Sequence, residues 1–320
     1  MNLFQTRAKA VKTLKTAVNP AGRKLTETPE LDADILLQHI LKQNRTWLMV
    51  HREYELSEDE EKAFTEAVSL RCTGLPVAYI TGHKEFYGYD FAVTPDVLIP
   101  KPDTEVLIDH ALNYLGQLYY TLEGPGGTLS GIPEVCDMCS GSGCVGISIL
   151  KALQENDGIE ENNLPKMTFS DISLKALAVT RKNAAALLSD NCQSKLRFVQ
   201  SNLFDNVPFK YDIIVTNPPY VPHSESIELL KDGRKEPLLA LDGDVSDEGD
   251  WTGTEDGLSL IRRLIPQCRE HLVRGGVLLM ETGEYNAEET ARLFEEAGFK
   301  NVHIEKDMNG RERDVIGEKF

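Results

Sequence analysis

Apolar positions along the first 75 residues recur at helical spacing. Segments near 2–18, 30–43 and 57–73 each carry such a stripe, with Leu3, Val11, Leu14 and Val18 marking the first. Ser57 and Glu60 form a capping box ahead of the third, so residues 1–75 are expected to make a small helical bundle. Between 75 and 91 the character changes to aromatic and β-branched residues broken by Gly82 and Gly88, which predicts a β-hairpin connector over 76–100, the hinge between two domains. From Asp103 onward short apolar runs alternate with helical stretches. Strands are expected at 134–137, 167–171, 196–200, 211–216, 276–281, 299–305 and 312–318. Alternation of this kind predicts a parallel sheet with helices on both faces, in a domain over 101–320 with no internal repeat.

Composition fits that division. The chain has 320 residues, of which 41% are hydrophobic and 27% charged, enough for one large domain and a small one. No apolar run approaches the ~20 residues of a membrane span. Residues 1–24 carry Arg7, Lys9, Lys12, Lys15, Arg23 and Lys24 without an acid, as transit peptides do. They lack an apolar signal core, and their spacing assigns them to an amphipathic first helix of the folded domain.

The formal net charge of −17 argues against a groove-binding nucleic-acid protein, since duplex binding rests on phosphate neutralisation by Lys and Arg. A local basic patch such as the first helix can survive in an acidic chain. Nine of the acids lie between Asp232 and Asp256, a stretch expected to be a solvated surface loop. Cys136, Cys139 and Cys144 follow part of an iron–sulfur spacing, but no fourth ligand stands at cluster distance. The seven histidines form no His-x3-His pair. The six cysteines therefore read as reduced thiols of a cytoplasmic protein, and no metal is expected.

The chemistry is concentrated after strand ends. Asn217-Pro218-Pro219-Tyr220 directly follows the apolar run 211–216. A planar nitrogen is a poor nucleophile because its lone pair is delocalised, so an enzyme must hold it in line with a methyl donor. The Asn217 side-chain oxygen and the Pro218 carbonyl can each accept one hydrogen of an NH2 group. Two prolines stiffen the backbone, and Tyr220 offers an aromatic face to a flat amide or base. Upstream, the run 134–146 reads as strand, glycine turn and helix start, with Ser140-Gly141-Ser142-Gly143 forming a loop whose N–H groups can approach a nucleotide-like ligand. A second strand ends in Asp171, 28 residues past Gly143, where an acid can bind ribose hydroxyls. That spacing also suits dinucleotide enzymes. The downstream Asn-Pro-Pro-Tyr decides for S-adenosylmethionine, because hydride transfer has no use for paired amide acceptors.

Taken together, these segments resemble the HemK/PrmC family of protein-glutamine N5-methyltransferases over nearly the whole chain. The most specific are Pro76-Val77-Ala78-Tyr79-Ile80-Thr81-Gly82 with Phe86-Tyr87-Gly88, and Ile99-Pro100-Lys101-Pro102-Asp103-Thr104-Glu105. Ser170-Asp171-Ile172-Ser173, Asn202-Leu203-Phe204, Glu236-Pro237, Ala240-Leu241-Asp242-Gly243 and the run 307–313 follow in order. The resemblance implies a Rossmann-like class I S-adenosylmethionine-dependent methyltransferase, α/β, with a seven-stranded sheet whose last strand is antiparallel. It implies methylation of the glutamine in the Gly-Gly-Gln motif of class 1 peptide chain release factors, with S-adenosylhomocysteine as product. Donor contacts would be Cys139, Ser140, Gly141, Ser142, Gly143, Asp171, Asn202, Leu203 and Asn217. Asn217, Pro218 and Tyr220 would be catalytic, Pro219 would join them in holding the glutamine, and the bundle would help dock the release factor.

Four positions depart from that pattern: Cys139 for a glycine, Asn202 for an Asp, Lys101 for an Arg, and an acidic insertion between Leu241-Asp242-Gly243 and Glu255-Asp256-Gly257-Leu258. If the backbone at 139 needs a positive φ, cysteine costs roughly 1–2 kcal/mol there. Asn202 can still meet an adenine edge, without charge. Two other readings stay open: a nucleic-acid amino methyltransferase acting on adenine N6 or guanine N2, and a degenerate methyltransferase that only binds.

Overall fold

The computed structural model describes residues 1–19, 22–123, 131–156 and 159–320. They fall into two units, Met1–His83 with Ile227–Lys235, and Lys84–Ser226 with Glu236–Phe320.

In the first unit the helical stripes become α1 (Leu3–Thr16), α2 (Pro29–Leu41), α3 (Arg45–Val50), α4 (Glu58–Arg71) and α5 (Val77–Thr81). The Ser57 capping box forms on both sides: the Ser57 N–H donates to Glu60 at 2.8 Å and the Glu60 N–H to the Ser57 hydroxyl at 3.3 Å. Asn2 and Gln5 cap α1 in the same way. Leu3, Leu14, Leu36, Leu37 and Phe64 are all but fully buried in the bundle core. Arg71 ties α4 to α2 through Asp32 at 2.7 Å. Val18 lies beyond α1 and is exposed, because the chain leaves the helix at Ala17 in an extended conformation.

The stretch 76–100, expected to be one hairpin connector, is two pieces. Its start is helical: Pro76 sets the entry to α5, and Gly82 in the left-handed region ends it. The hairpin proper is β1 (His83–Phe86) and β2 (Tyr89–Ala92). Phe86 and Phe91 are buried in the core of the second unit, and Asn183 clamps Ala92 by accepting from its N–H at 2.8 Å and donating to its carbonyl at 3.0 Å. A hairpin held this way belongs, from Lys84 onward, to the second unit.

The second unit is built on β3 (Glu134–Met138), β4 (Lys166–Asp171), β5 (Leu196–Gln200), β6 (Tyr211–Thr216), β7 (Leu272–Glu281), β8 (Lys300–Lys306) and β9 (Glu312–Glu318), ordered β5-β4-β3-β6-β7-β9-β8. Pairing is parallel except along β9, which runs against β7 and β8. Helices α6 (Glu105–Leu122), α7 (Cys144–Gln154), α8 (Leu174–Leu187), α9 (Asp190–Gln193), α10 (His223–Leu230), α11 (Ser259–His271) and α12 (Ala287–Glu296) complete the order. Successive residues of a strand point to opposite faces, and the core divides accordingly. Val135, Ile213, Val215, Val277 and Leu279 pack under α6, α7 and α8, whereas Cys136, Met138, Ile214, Leu278 and Met280 pack under α11 and α12. Among the described residues no helix is long and apolar enough to cross a membrane.

The acidic stretch 232–256 is not a solvated loop throughout. Asp242 and Asp244 are 1% and 0% exposed. Asp244 anchors the root of the insertion, accepting from the Gly257 N–H at 2.7 Å and the Thr254 hydroxyl at 2.7 Å. Burial is possible because these donors satisfy the carboxylate. Val221 and Leu241 to Gly243 form a short parallel bridge, and His223 meets Asp242 at 2.6 Å while stacking on Trp251. The ends of the insertion therefore meet beside the loop that follows β6. A Cβ on Gly257, whose φ is +73°, would lie 2.0 Å from the Tyr220 carbonyl oxygen.

Gly257→Ala should consequently destabilise the protein by about 2 kcal/mol or more, through strain at φ > 0 and displacement of residue 220. Urea denaturation measures it; a loss within ~0.5 kcal/mol, the range of neutral surface changes, would contradict the close contact.

Candidate active site

The carboxyl ends of β3, β4, β5 and β6 open into one cavity. Cys139, Ser140, Gly141, Ser142, Asp171, Asn202, Leu203, Asn217 and Pro219 line it. Gly143, Pro218 and Tyr220, also expected in the site, do not form its wall. Gly143 caps α7, and Tyr220 turns its hydroxyl away to Glu281 at 3.0 Å.

After β3 the chain turns through Cys139, Gly141 and Gly143, all at positive φ (60°, 53° and 77°). Cys139 thus occupies the conformation that was expected to be strained there. The loop is held from α8: Thr180 donates to the Gly141 carbonyl at 2.9 Å and Asn183 to that of Ser142 at 2.9 Å. Nothing lies within 4 Å of where a Gly141 Cβ would sit, so the backbone stays open to a ligand. Asp171 accepts from the Gly141 N–H at 2.8 Å and the Ser173 N–H at 2.9 Å, one on each carboxylate oxygen. Burial raises its pKa while those N–H groups oppose the rise. Each oxygen keeps a second lone pair for a hydroxyl donor such as a ribose. The Ser140 hydroxyl, on the cavity wall, is buried without a partner among the described residues.

Sequence reasoning passed over three further groups. Asp137 sits inside β3, 2% exposed, on the cavity wall, accepting from the Gly146 N–H at 2.9 Å. Burial pushes its carboxyl up to about 8. Its sequence signal was an acid inside the apolar run 135–138. Thr104 lines the cavity and accepts from the Asn217 Nδ2 at 3.1 Å, which fixes the amide and leaves Asn217 Oδ1 without a partner among the described residues. Glu281, at the end of β7 and 1% exposed, takes the Tyr220 hydroxyl; Thr104 and Tyr220 favour its charged form while burial raises its pKa overall. One carboxyl group thereby braces the residues flanking Pro218 and Pro219 on both sides.

Two other segments support the Asn217 side of the cavity. Arg313 Nη2 reaches Asp103 at 3.3 Å and Asp307 at 3.6 Å, joining the 99–105 segment to the turn between β8 and β9. Buried Glu236 takes Lys101 at 2.7 Å and the Ile99 N–H at 3.4 Å, so Lys101 forms the ion pair from its position and Pro237 is carried onto the cavity wall. The six cysteines are free thiols. Among the described residues no three metal-ligating side chains come together.

Residues 7–82 match the PrmC N-terminal domain, and residues 128–232 the methyltransferase small domain. The chain is 33% identical to the release factor glutamine methyltransferase of Clostridium acetobutylicum, covering 89% of this chain and 90% of that one. It is 37% identical to the enzyme of that name from Leptospira interrogans over 95% and 96%, and 34% to that from Koribacter versatilis over 96% and 99%.

The raised pKa of Asp137 sets a pH dependence. An unfolded Asp ionises near ~3.9, whereas the folded group keeps its proton up to about 8, so between those values the native state binds more protons. Its contribution to stability is therefore greatest below about pH 4 and falls as pH rises toward about 8. Asp137→Asn removes this term. Its stability relative to the unaltered protein should grow between pH 5 and 8, by up to about 1.4 kcal/mol per pH unit. Denaturation curves of the two proteins that stay parallel across that range would rule it out.

Proposed function

Because the chain belongs to the family of release factor glutamine methyltransferases, we propose that it transfers a methyl group from S-adenosylmethionine to the side-chain amide nitrogen of the glutamine in the Gly-Gly-Gln motif of class 1 peptide chain release factors. The observation that carries the acceptor assignment is the fixed amide of Asn217. Asn217 lines the cavity, and with Nδ2 tied to Thr104 its Oδ1 is the atom left to accept a hydrogen bond. It accepts one hydrogen of the glutamine amide, so the nitrogen lone pair faces the donor.

The donor residues fit. Asp171 holds the ribose hydroxyls, Gly141 permits close approach of the loop, and Ser140 and Asp137 supply polar groups farther along the wall. When bound, the donor supplies an electrophilic methyl on a sulfonium. The glutamine nitrogen forms the new N–C bond as the S–C bond breaks, and the nitrogen then loses a proton to water. That proton becomes acidic only as the bond forms, so no strong base is required; positioning and electrostatics supply the acceleration. Tyr220, neutral because burial and Glu281 raise its pKa, adds an uncharged surface behind the acceptor. The bundle, matched by the PrmC N-terminal domain, docks the release factor. A cytoplasmic location follows from that substrate and agrees with six unpaired thiols.

Incubation with radiolabelled S-adenosylmethionine and a release factor, beside a copy whose Gly-Gly-Gln glutamine is changed to alanine, should label the first alone. Label in RNA or DNA and none in the factor would replace this reading with the nucleic-acid one. Asn217→Ala should lower kcat by at least ~100-fold with donor affinity within about threefold, because only the acceptor loses its partner. Asp171→Ala should instead weaken donor binding by roughly tenfold or more. Equal losses of both properties in both variants would refute the division of roles.

A further inference from the structure

The sheet order fixes the direction of the donor. Asn217 follows β6 on one side of the β3 loop, and Asp171 follows β4 on the other. With the methyl end directed at Asn217 and the ribose at Asp171, the base extends toward the end of β5, where Ser201 donates its N–H to the Asp171 carbonyl at 3.0 Å. Asn202 and Leu203, which follow β5, line the cavity, and so do Val245, Ser246 and Asp247. Three of these five come from the acidic insertion.

Asn202 was expected to meet the adenine edge, yet its side chain is already used. Nδ2 donates to Asp247 Oδ2 at 2.6 Å, and Oδ1 accepts from Arg263 Nη2 at 3.3 Å. Arg263 also pairs with Asp247 Oδ1 at 3.1 Å. Asp247 is therefore held from two directions, and the insertion that carries it is anchored at its root by Asp244 and by the Leu260 N–H, which donates to the Gly243 carbonyl at 3.0 Å. Asp247 Oδ2 accepts from both Asn202 and Arg263, whereas Asp247 Oδ1 and Asn202 Oδ1 each accept once, from Arg263, and keep a lone pair. Of these two the carboxylate oxygen carries charge and is the stronger acceptor for an exocyclic amino group.

We propose that Asp247, and not Asn202, reads the exocyclic amino group of the donor's adenine, with Asn202 and Arg263 serving to position its carboxylate. The insertion is thus part of the donor site. This rests on the donor placement above, in which Asp171 holds the ribose.

The test is calorimetric binding of S-adenosylhomocysteine and of S-inosylhomocysteine, in which a carbonyl oxygen replaces the amino group. The unaltered protein should prefer the adenosyl compound by roughly 10–100-fold, since the inosyl oxygen opposes a carboxylate. Asp247→Ala and the near-isosteric Asp247→Asn should bring that preference within about threefold. A preference unchanged in Asp247→Asn overturns the assignment to Asp247. If Asp171→Ala leaves adenosyl binding unaltered, the donor placement itself has failed.

Discussion

The pairing of β3 with β4 on one side and β6 on the other is the constraint from which the site follows. Residues 134–138 bond to 166–170 in one direction and 135–138 to 213–216 in the other, so three carboxyl ends finish level with one another. The chain leaves each in a different way: through a glycine turn, past Asp171, and into Asn217-Pro218. Strand order reverses at β3, and a crevice opens there because successive connections go to opposite faces. Neither the glycine loop nor the asparagine loop would make a site alone. Their adjacency does.

Under the Asn217 side of the cavity lies a group of ionisable side chains, buried except for Asp103. Glu281, Arg313, Asp103 and Asp307 link β7, β9, the 99–105 segment and the turn at 307–311. Asp314, paired with Glu281 across the β7–β9 ladder, is 0% exposed with its pKa driven up by burial. Assemblies of this kind contribute little net stability, because removing ions from water costs about what their attraction returns. What they supply is direction: the Tyr220 hydroxyl and the Asn217 amide are each left with one orientation. In the proposed reaction a flexible loop at 217–220 would have to be ordered in every turnover.

Much of this was legible in the chain. Every expected strand is present within a few residues, because strands buried on both faces are short unbroken apolar runs, and such runs at 211–216 or 312–318 leave little else to be. Groups that follow strand ends, from Cys139 to Asn217, were legible for the same reason. Short local elements were not. Six-residue α3 and five-residue α5 are too brief to show a helical period. Partnerships between distant segments were also hidden. Nothing near Thr104 announces that it meets Asn217, 113 positions away, or that an aspartate of the insertion meets Asn202, 45 away. The burial of Asp242 and Asp244 escaped notice because an acid-rich stretch looks solvated until its donors are located in space.

The contact between Gly243 and Gly257 has a further consequence. A Cβ on the first would lie 2.0 Å from the carbonyl oxygen of the second, so the insertion begins and ends at nearly one point. Chain between two such points can lengthen at small cost, about 0.6 kcal/mol for each doubling. The insertion can in this sense lengthen between its two glycines without moving the loop after β6, provided that Asp247, Trp251 and Glu255 keep their contacts with Asn202, His223 and Ser224.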